Sequence, residues 1–162
     1  RNDITNLIDF KETDPINWYG TFVNRQKAKN NGIELELKAT LMEDWMTRLA
    51  YTYTESTFTT PSGTQRRGLV PRHQFGLDSN YCLFKKWTIG CGVTIVADRE
   101  DKFTSGLDLE DFFTARVYSR YEHNDHFAIF GRVENVTDTH YDYSTNVPAL
   151  PIGFYGGVEL KF

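Results

Sequence analysis

The chain has 162 residues, 15% aromatic and 25% charged, with a formal net charge of −4. That length suits one domain, and the acidic balance gives no support to nucleic-acid binding. No run of about 18 apolar residues occurs, which excludes a membrane-spanning helix; it does not exclude a membrane barrel, whose strands alternate lipid-facing and lumen-facing residues and so have middling hydropathy.

Tyr and Phe far outnumber Met and helix-favouring runs are few, so the chain reads as β-rich. An early strand is predicted near residues 3–11 and a long one over 18–41, in which Ile33, Leu35, Leu37, Ala39 and Leu41 form a membrane-like half. Period-two alternation then sets Trp45, Thr47, Leu49, Tyr51 and Tyr53 on one face, with Arg48, Ala50, Thr52 and Thr54 between them. The pattern returns at Phe75, Leu77, Ser79 and Tyr81, and again at Trp87, Ile89, Cys91, Val93 and Ile95, where the other face carries Gly76, Asp78, Asn80, Gly90, Gly92 and Thr94. A face of polar or small residues behind a face of grease suits a wall between lipid and water. Further strands are expected at 112–121, 127–136 and 154–162, making eight. Cys82 and Cys91 fall on opposite faces, which forbids a disulfide, so both read as small fillers.

The last strand carries Phe154, Gly156, Val158, Leu160 and the terminal Phe162 on one face and Tyr155, Gly157, Glu159 and Lys161 on the other. The links alternate short (42–44, 84–86, 122–125) and long (12–17, 57–71, 99–108, 137–152). In outer-membrane barrels short turns face the periplasm and long loops face outside, which places both termini on the periplasmic side. Trp45, Tyr53, Tyr81, Trp87 and Tyr121 fall near strand ends, where interfacial girdles lie. The basic pairs Arg66-Arg67 and Lys85-Lys86 fall in links and are expected to be solvated.

Enzymatic chemistry has little to build on. His73, His123, His126 and His140 are scattered, and no nucleophile elbow, phosphate loop or dinucleotide fingerprint appears. Glu100, Asp101, Asp108, Glu110 and Asp111 lack the ordered spacing of a calcium loop. No metal or cofactor site is therefore expected.

A family resemblance rests on several motifs in order. Residues 3–10 (DITNLIDF) precede Phe22-Val23-Asn24, Ala28 and Gly32-Ile33-Glu34-Leu35-Glu36; then come Ala50-Tyr51-Thr52-Tyr53-Thr54, Val70-Pro71-Arg72-His73 and Asn135-Val136-Thr137-Asp138 with Tyr141, before the terminal Phe. Together they resemble the C-terminal part of the barrel of TonB-dependent outer-membrane receptors, the active transporters of siderophores, cobalamin and similar scarce nutrients. Phe22 stands where the family has Tyr, Thr137 replaces an aromatic, and Pro151-Ile152-Gly153 departs from the family's Pro-Gly-Arg.

The resemblance implies an all-β antiparallel transmembrane barrel of about 22 strands, of which residues 1–162 supply about eight. The plug and the TonB-engaging segment would lie outside this chain. The expected location is the bacterial outer membrane, with TonB, the outer-membrane assembly machinery, lipid and lipopolysaccharide, and a small-molecule nutrient as partners. Phe154, Gly156, Val158, Leu160 and Phe162 would form the assembly signal. Arg66, Arg67, Arg72, Arg99, Lys102, Tyr141 and Tyr143 are the candidate ligand contacts in outer loops, since guanidinium forks and aromatic platforms suit anionic chelates. Two alternatives stay open: a self-contained eight-stranded barrel with a structural, adhesive or small-pore role, and a soluble binding barrel. Small inward residues such as Ala50, Gly76, Gly90 and Gly92 would pack a narrow lumen poorly and suit a wide, gently curved wall better.

Overall fold

A computed structural model describes residues 2–14, 19–60, 63–66, 68–101 and 107–162. The described strands are β1 (Asn2–Asp14), β2 (Tyr19–Met42), β3 (Trp45–Thr60), β4 (Gly63–Arg66), β5 (His73–Leu83), β6 (Trp87–Ala97) and β7 (Arg99–Asp101). They continue as β8 (Leu107–Leu109), β9 (Phe112–Asn124), β10 (Phe127–Glu134), β11 (Asp142–Ser144), β12 (Val147–Pro148) and β13 (Gly153–Leu160). Eight of them form one antiparallel path in the order β1-β2-β3-β5-β6-β9-β10-β13. Each long strand thus pairs with its neighbour in sequence, and these eight are the strands expected from the alternation.

The register carries the two faces across the whole sheet. Leu35 stands opposite Tyr51, Leu49 opposite Leu77, Leu77 opposite Val93, Cys91 opposite Val117, Val117 opposite Val133, and Val133 opposite Phe154. A one-residue slip anywhere would turn a strand's apolar set to the wrong side. No described residue covers this apolar face. Among the described residues only Ala28, Val96 and Ala128 are buried apolar side chains, whereas Leu35 is 62% exposed, Val158 62% and Phe154 75%. A soluble sheet needs a second layer to bury such a face; a single layer is stable only where lipid takes that place.

Aromatic residues edge the band on the short-turn side. The Trp45 indole N–H donates to Ser79 Oγ at 2.9 Å and the Trp87 indole N–H to Ser119 Oγ at 2.6 Å. Each ring thereby keeps its one polar atom satisfied against an apolar surface. Trp45 also meets Tyr81 edge to face, 6.5 Å between centroids. Toward the other end, His73 Nδ1 pairs with the Tyr51 hydroxyl at 2.9 Å, and the Tyr53 ring tilts against the imidazole at 5.3 Å.

The opposite face is charged and self-paired. Arg116 reaches Asp78 at 2.5 Å, Arg48 reaches Glu36 at 2.5 Å, and Arg120 bridges Glu159 at 2.9 Å and Glu122 at 3.2 Å. Two of its glycines are not empty spaces. Tyr118 lies across Gly90, close enough that a Cβ there would stand 2.2 Å from the ring, and Phe130 lies across Gly157, where a Cβ would stand 2.6 Å from it. Glycine lets a large cross-strand side chain lie flat on the wall.

Some expectations hold and others are corrected. The sheet is an open path: among the described strand pairings, β1 and β13 do not meet, so these strands do not close an eight-stranded barrel. The C-terminus does lie at the short-turn end, where the Lys161 N–H donates to the His126 carbonyl at 2.9 Å. Asn2 does not. It stands beside Asn30, level with Ser56 near the long-connection end, because β1 pairs only with the upper half of the 24-residue β2. The links read as loops at 57–71, 99–108 and 137–152 contain β4, the β7–β8 pair and the β11–β12 pair. Alternating hydropathy marks only lipid-spanning strands, so strands that rise into water escape it.

Candidate functional site

The candidate site is the cluster of structured connections at the end away from the short turns. β4 pairs back onto β3 with Thr57 opposite Arg66, which carries the Arg66 side chain toward the link between β6 and β7. There it binds Asp98 through the carboxylate and the backbone carbonyl, and reaches Glu100 at 3.1 Å. Arg72 reaches the second oxygen of the same Asp98 carboxylate at 2.5 Å. The Arg66 side chain is 9% exposed, so of the first basic pair this residue is enclosed rather than solvated. Backbone bonds reinforce the join, from Leu69 N–H to the Glu100 carbonyl at 2.7 Å and from Arg72 N–H to the Asp98 carbonyl at 3.1 Å. Burial pushes the Asp98 carboxyl up, but the two guanidiniums outweigh it and hold it below the ordinary carboxylate value.

Arg99 turns the other way. Its guanidinium donates to the carbonyls of Glu110 at 3.0 Å, Asp142 at 2.5 Å and Tyr143 at 3.1 Å, and its charge sits 4.8 Å from the centre of the Phe112 ring. Loss of water in this buried setting lowers its pKa, a shift the nearby Tyr141, Asp111 and Asp142 oppose. Tyr141 stacks on Phe112 with 3.7 Å between centroids, and its hydroxyl donates to that of Tyr143 at 3.4 Å. Burial, then the Tyr143 hydroxyl, push the Tyr141 phenol up to about 12. Asp101 is completely buried and accepts from Ser144 Oγ at 3.0 Å and from the Thr145 N–H at 2.7 Å.

The Asn-Val-Thr-Asp motif proves to be the base of the last loop. Asn135, buried with a left-handed φ of 51°, accepts from the Thr139 N–H at 3.0 Å and donates to the carbonyls of Thr139 at 3.0 Å and Leu150 at 3.3 Å. Asp138 accepts from the Ile152 N–H at 3.2 Å. Asn and Asp suit such turns because they tolerate the left-handed region and cap nearby backbone groups. Thr137 Oγ1 donates to Asn135 Oδ1 at 3.2 Å, a polar role that a phenylalanine at this position could not fill.

The structure brings Arg66, Arg72, Arg99, Tyr141 and Tyr143 to one end of the sheet, while Arg67 and Lys102 lie outside the described residues. The three placed arginines hold carboxylates or carbonyls of the loops themselves. Tyr143 is 55% exposed and offers an open ring. An open concavity of about 410 Å³ at the same end is lined by Asp108, Glu110, His140, Tyr141, Asp142 and Asn146 among others. Phe112, Asp98 and the capping role of Asn135 were not foreseen as parts of this cluster; the Asp-Arg-Glu-Asp run at 98–101 and the Asn-Val-Thr-Asp motif at 135–138 were the available signal. No group of three or more His, Cys, Asp or Glu among the described residues could hold a metal ion.

Comparison with known proteins places this architecture. A family model described as TonB dependent receptor-like, beta-barrel matches residues 1–136. No curated protein sequence matches the chain significantly. Solved structures with similar folds include the ferric-catecholate import receptor Fiu from K12 E. coli, with a TM-score of 0.72 and 21% identity over 99% of this chain and 24% of that one. The ferripyoverdine receptor of the Pseudomonas aeruginosa outer membrane gives 0.70 and 20% over 99% and 24%. The copper transporter OprC gives 0.79 and 17% over 99% and 27%. The likeness is one of fold, and the chain spans about a quarter of the length of each.

Proposed function

The chain belongs to the TonB-dependent receptor-like β-barrel family, whose members are outer-membrane barrels, and from that membership we propose that it supplies wall and outer loops to a TonB-driven importer of a metal chelate. One observation carries the reading: an open antiparallel path whose two end strands do not pair with each other. Such edges are intolerable in lipid unless further strands satisfy them. A larger barrel containing these residues as its C-terminal part, with a plug and a TonB-engaging segment elsewhere, meets that need. The open trough of about 760 Å³ on the apolar face, beside Trp45, Tyr81 and Phe154, is then acyl-chain space and no ligand pocket. The stripe of Phe154, Gly156, Val158, Leu160 and Phe162 serves the assembly machinery.

Cargo approaches the opposite end. The similarity to ferric-chelate and copper importers favours a chelated metal. Tyr143 and the neighbouring Tyr141 edge are the residues best placed to touch it, while Arg66, Arg72 and Arg99 shape the loops and Arg67 and Lys102 remain candidate contacts. Lipopolysaccharide would surround the rim.

The test is metal uptake by the source bacterium with the intact gene, with the gene deleted, and with TonB inactivated. Loss of one chelate's uptake in both altered strains is expected. Uptake that survives TonB inactivation contradicts the reading.

A further inference from the structure

We propose that β7, with Asp98 at its head, is a keystone that fastens three outer loops into one rigid body. Arg99, Glu100 and Asp101 alternate in direction along the extended β7, and Asp98, in the bend before it with a φ of 57°, binds on the same side as Glu100. Asp98 and Glu100 bind Arg66 of the β3–β5 connection, and Asp98 binds Arg72 at the end of that connection. Arg99 and Asp101 bind the β10–β13 connection, through the carbonyls of Asp142 and Tyr143 on one side and through Ser144 and Thr145 on the other. One short strand therefore grips a loop on each side with opposite residues of its alternation.

The grip is firm because it is dry and charge-assisted. Arg99 is 7% exposed and Asp101 fully buried. Hydrogen bonds to an ionised partner out of water are among the strongest in proteins. β7 also pairs with β8, Arg99 opposite Leu109, so its own loop cannot leave without breaking both attachments. Through these bonds β7 couples both flanking loops to each other. A ligand that orders one of the three loops must then order the other two, and a disturbance in one must reach the far side.

The inference rests on the proposed function only for its setting outside the membrane, and its test reads loop opening rather than transport. Hydrogen exchange followed by mass spectrometry on the complete receptor in micelles compares wild type, Asp101→Asn and Asp98→Asn. Asp101→Asn removes the charge that holds Thr145. It is expected to accelerate exchange roughly tenfold to a hundredfold in residues 142–147, the size of losing a hydrogen bond to a charged group, and also to accelerate exchange at the Leu69 and Arg72 amides. Asp98→Asn must spread in the opposite direction, from residues 66–72 to residues 142–147, so failure of either variant to assemble leaves the other as the test. Arg66→Lys, which keeps charge but loses the fork between two carboxylates, gives a third route. Acceleration confined to the loop that was altered overturns the proposal, whether or not the receptor transports.

Discussion

Replacing Gly90 by alanine tests how the inner wall is packed. The new Cβ would stand 2.2 Å from Tyr118 Cζ and 2.5 Å from its hydroxyl oxygen, so the ring must leave. The Tyr118 hydroxyl donates to Asp78 Oδ1 at 2.9 Å, and this bond goes with it. A hydrogen bond to a charged group contributes about 1.5–3 kcal/mol. A displaced ring off its rotamer costs about 0.5–1.5 kcal/mol, and alanine returns about 0.5–1 kcal/mol relative to glycine in a strand. With Tyr118 half-buried, a net loss of about 1–3 kcal/mol follows. Gly76 is the control. Its Cβ would meet only Ala50 Cβ at 3.9 Å, so Gly76→Ala is expected to be neutral or slightly stabilising. Urea unfolding of the complete receptor from lipid vesicles, followed by tryptophan fluorescence, measures both. The reasoning is refuted if Gly90→Ala costs as much in a Tyr118→Ala background as in the wild type, because the clash would then not be its cause.

Other substitutions probe the faces, the turns and the loops. Leu35→Arg, on the apolar face, is expected to cost about 2–4 kcal/mol in the same unfolding assay, whereas Glu34→Arg on the charged face costs far less. Phe84 and Lys85 both have positive φ, 53° and 57°, in the turn closed by the Lys86 N–H to Leu83 carbonyl bond. Asn-Gly fits that geometry, so replacing the pair is expected to stabilise the β5–β6 hairpin by about 1 kcal/mol or more, seen as a higher urea midpoint. Asn135→Ala removes the bonds that shape the base of the last loop and is expected to open residues 137–152 to protease while the strands stay protected. Asp98 faces Arg66 and Arg72, with Glu100 and Asp111 nearby, and its carboxyl is held below the ordinary value of 3.8. A depressed folded-state pKa gives stability that is full above the unfolded value and is lost as pH falls through the folded one. Loop protection is therefore expected to be constant from neutral pH down to about 4 and to fall below that; a loss beginning near pH 6 would point to histidine instead.

The wall was legible because membrane strands carry a strict two-residue code. Leu35, Leu49, Leu77 and Val93 each fell on the face the sequence pattern assigned, and the register carries that face from strand to strand. What escaped was water-exposed structure. β4, β7 and β11 lie outside lipid, where no alternation is demanded, and their order comes from side chains far apart in sequence. Asp101 meets Ser144 across 43 positions, and Arg66 meets Asp98 across 32. Net charge hid the same fact: Arg66, Arg72 and Arg99, offered as ligand contacts, are paired within the outer loops themselves. The role of Gly90 was equally invisible, since a small inward residue reads as a gap until Tyr118 is seen lying across it.

The central claim is that one face of this sheet meets lipid and the other meets the lumen. Its most direct test places a nitroxide spin label in turn at Ile33, Glu34, Leu35, Glu36, Leu37 and Lys38 of the complete receptor in bilayers, with Cys82 and Cys91 replaced by serine. The ratio of collisions with dissolved oxygen to collisions with a water-soluble nickel chelate is expected to alternate, high at Ile33, Leu35 and Leu37 and low at Glu34, Glu36 and Lys38. A ratio that is flat along the strand, or high at the glutamates, contradicts the account.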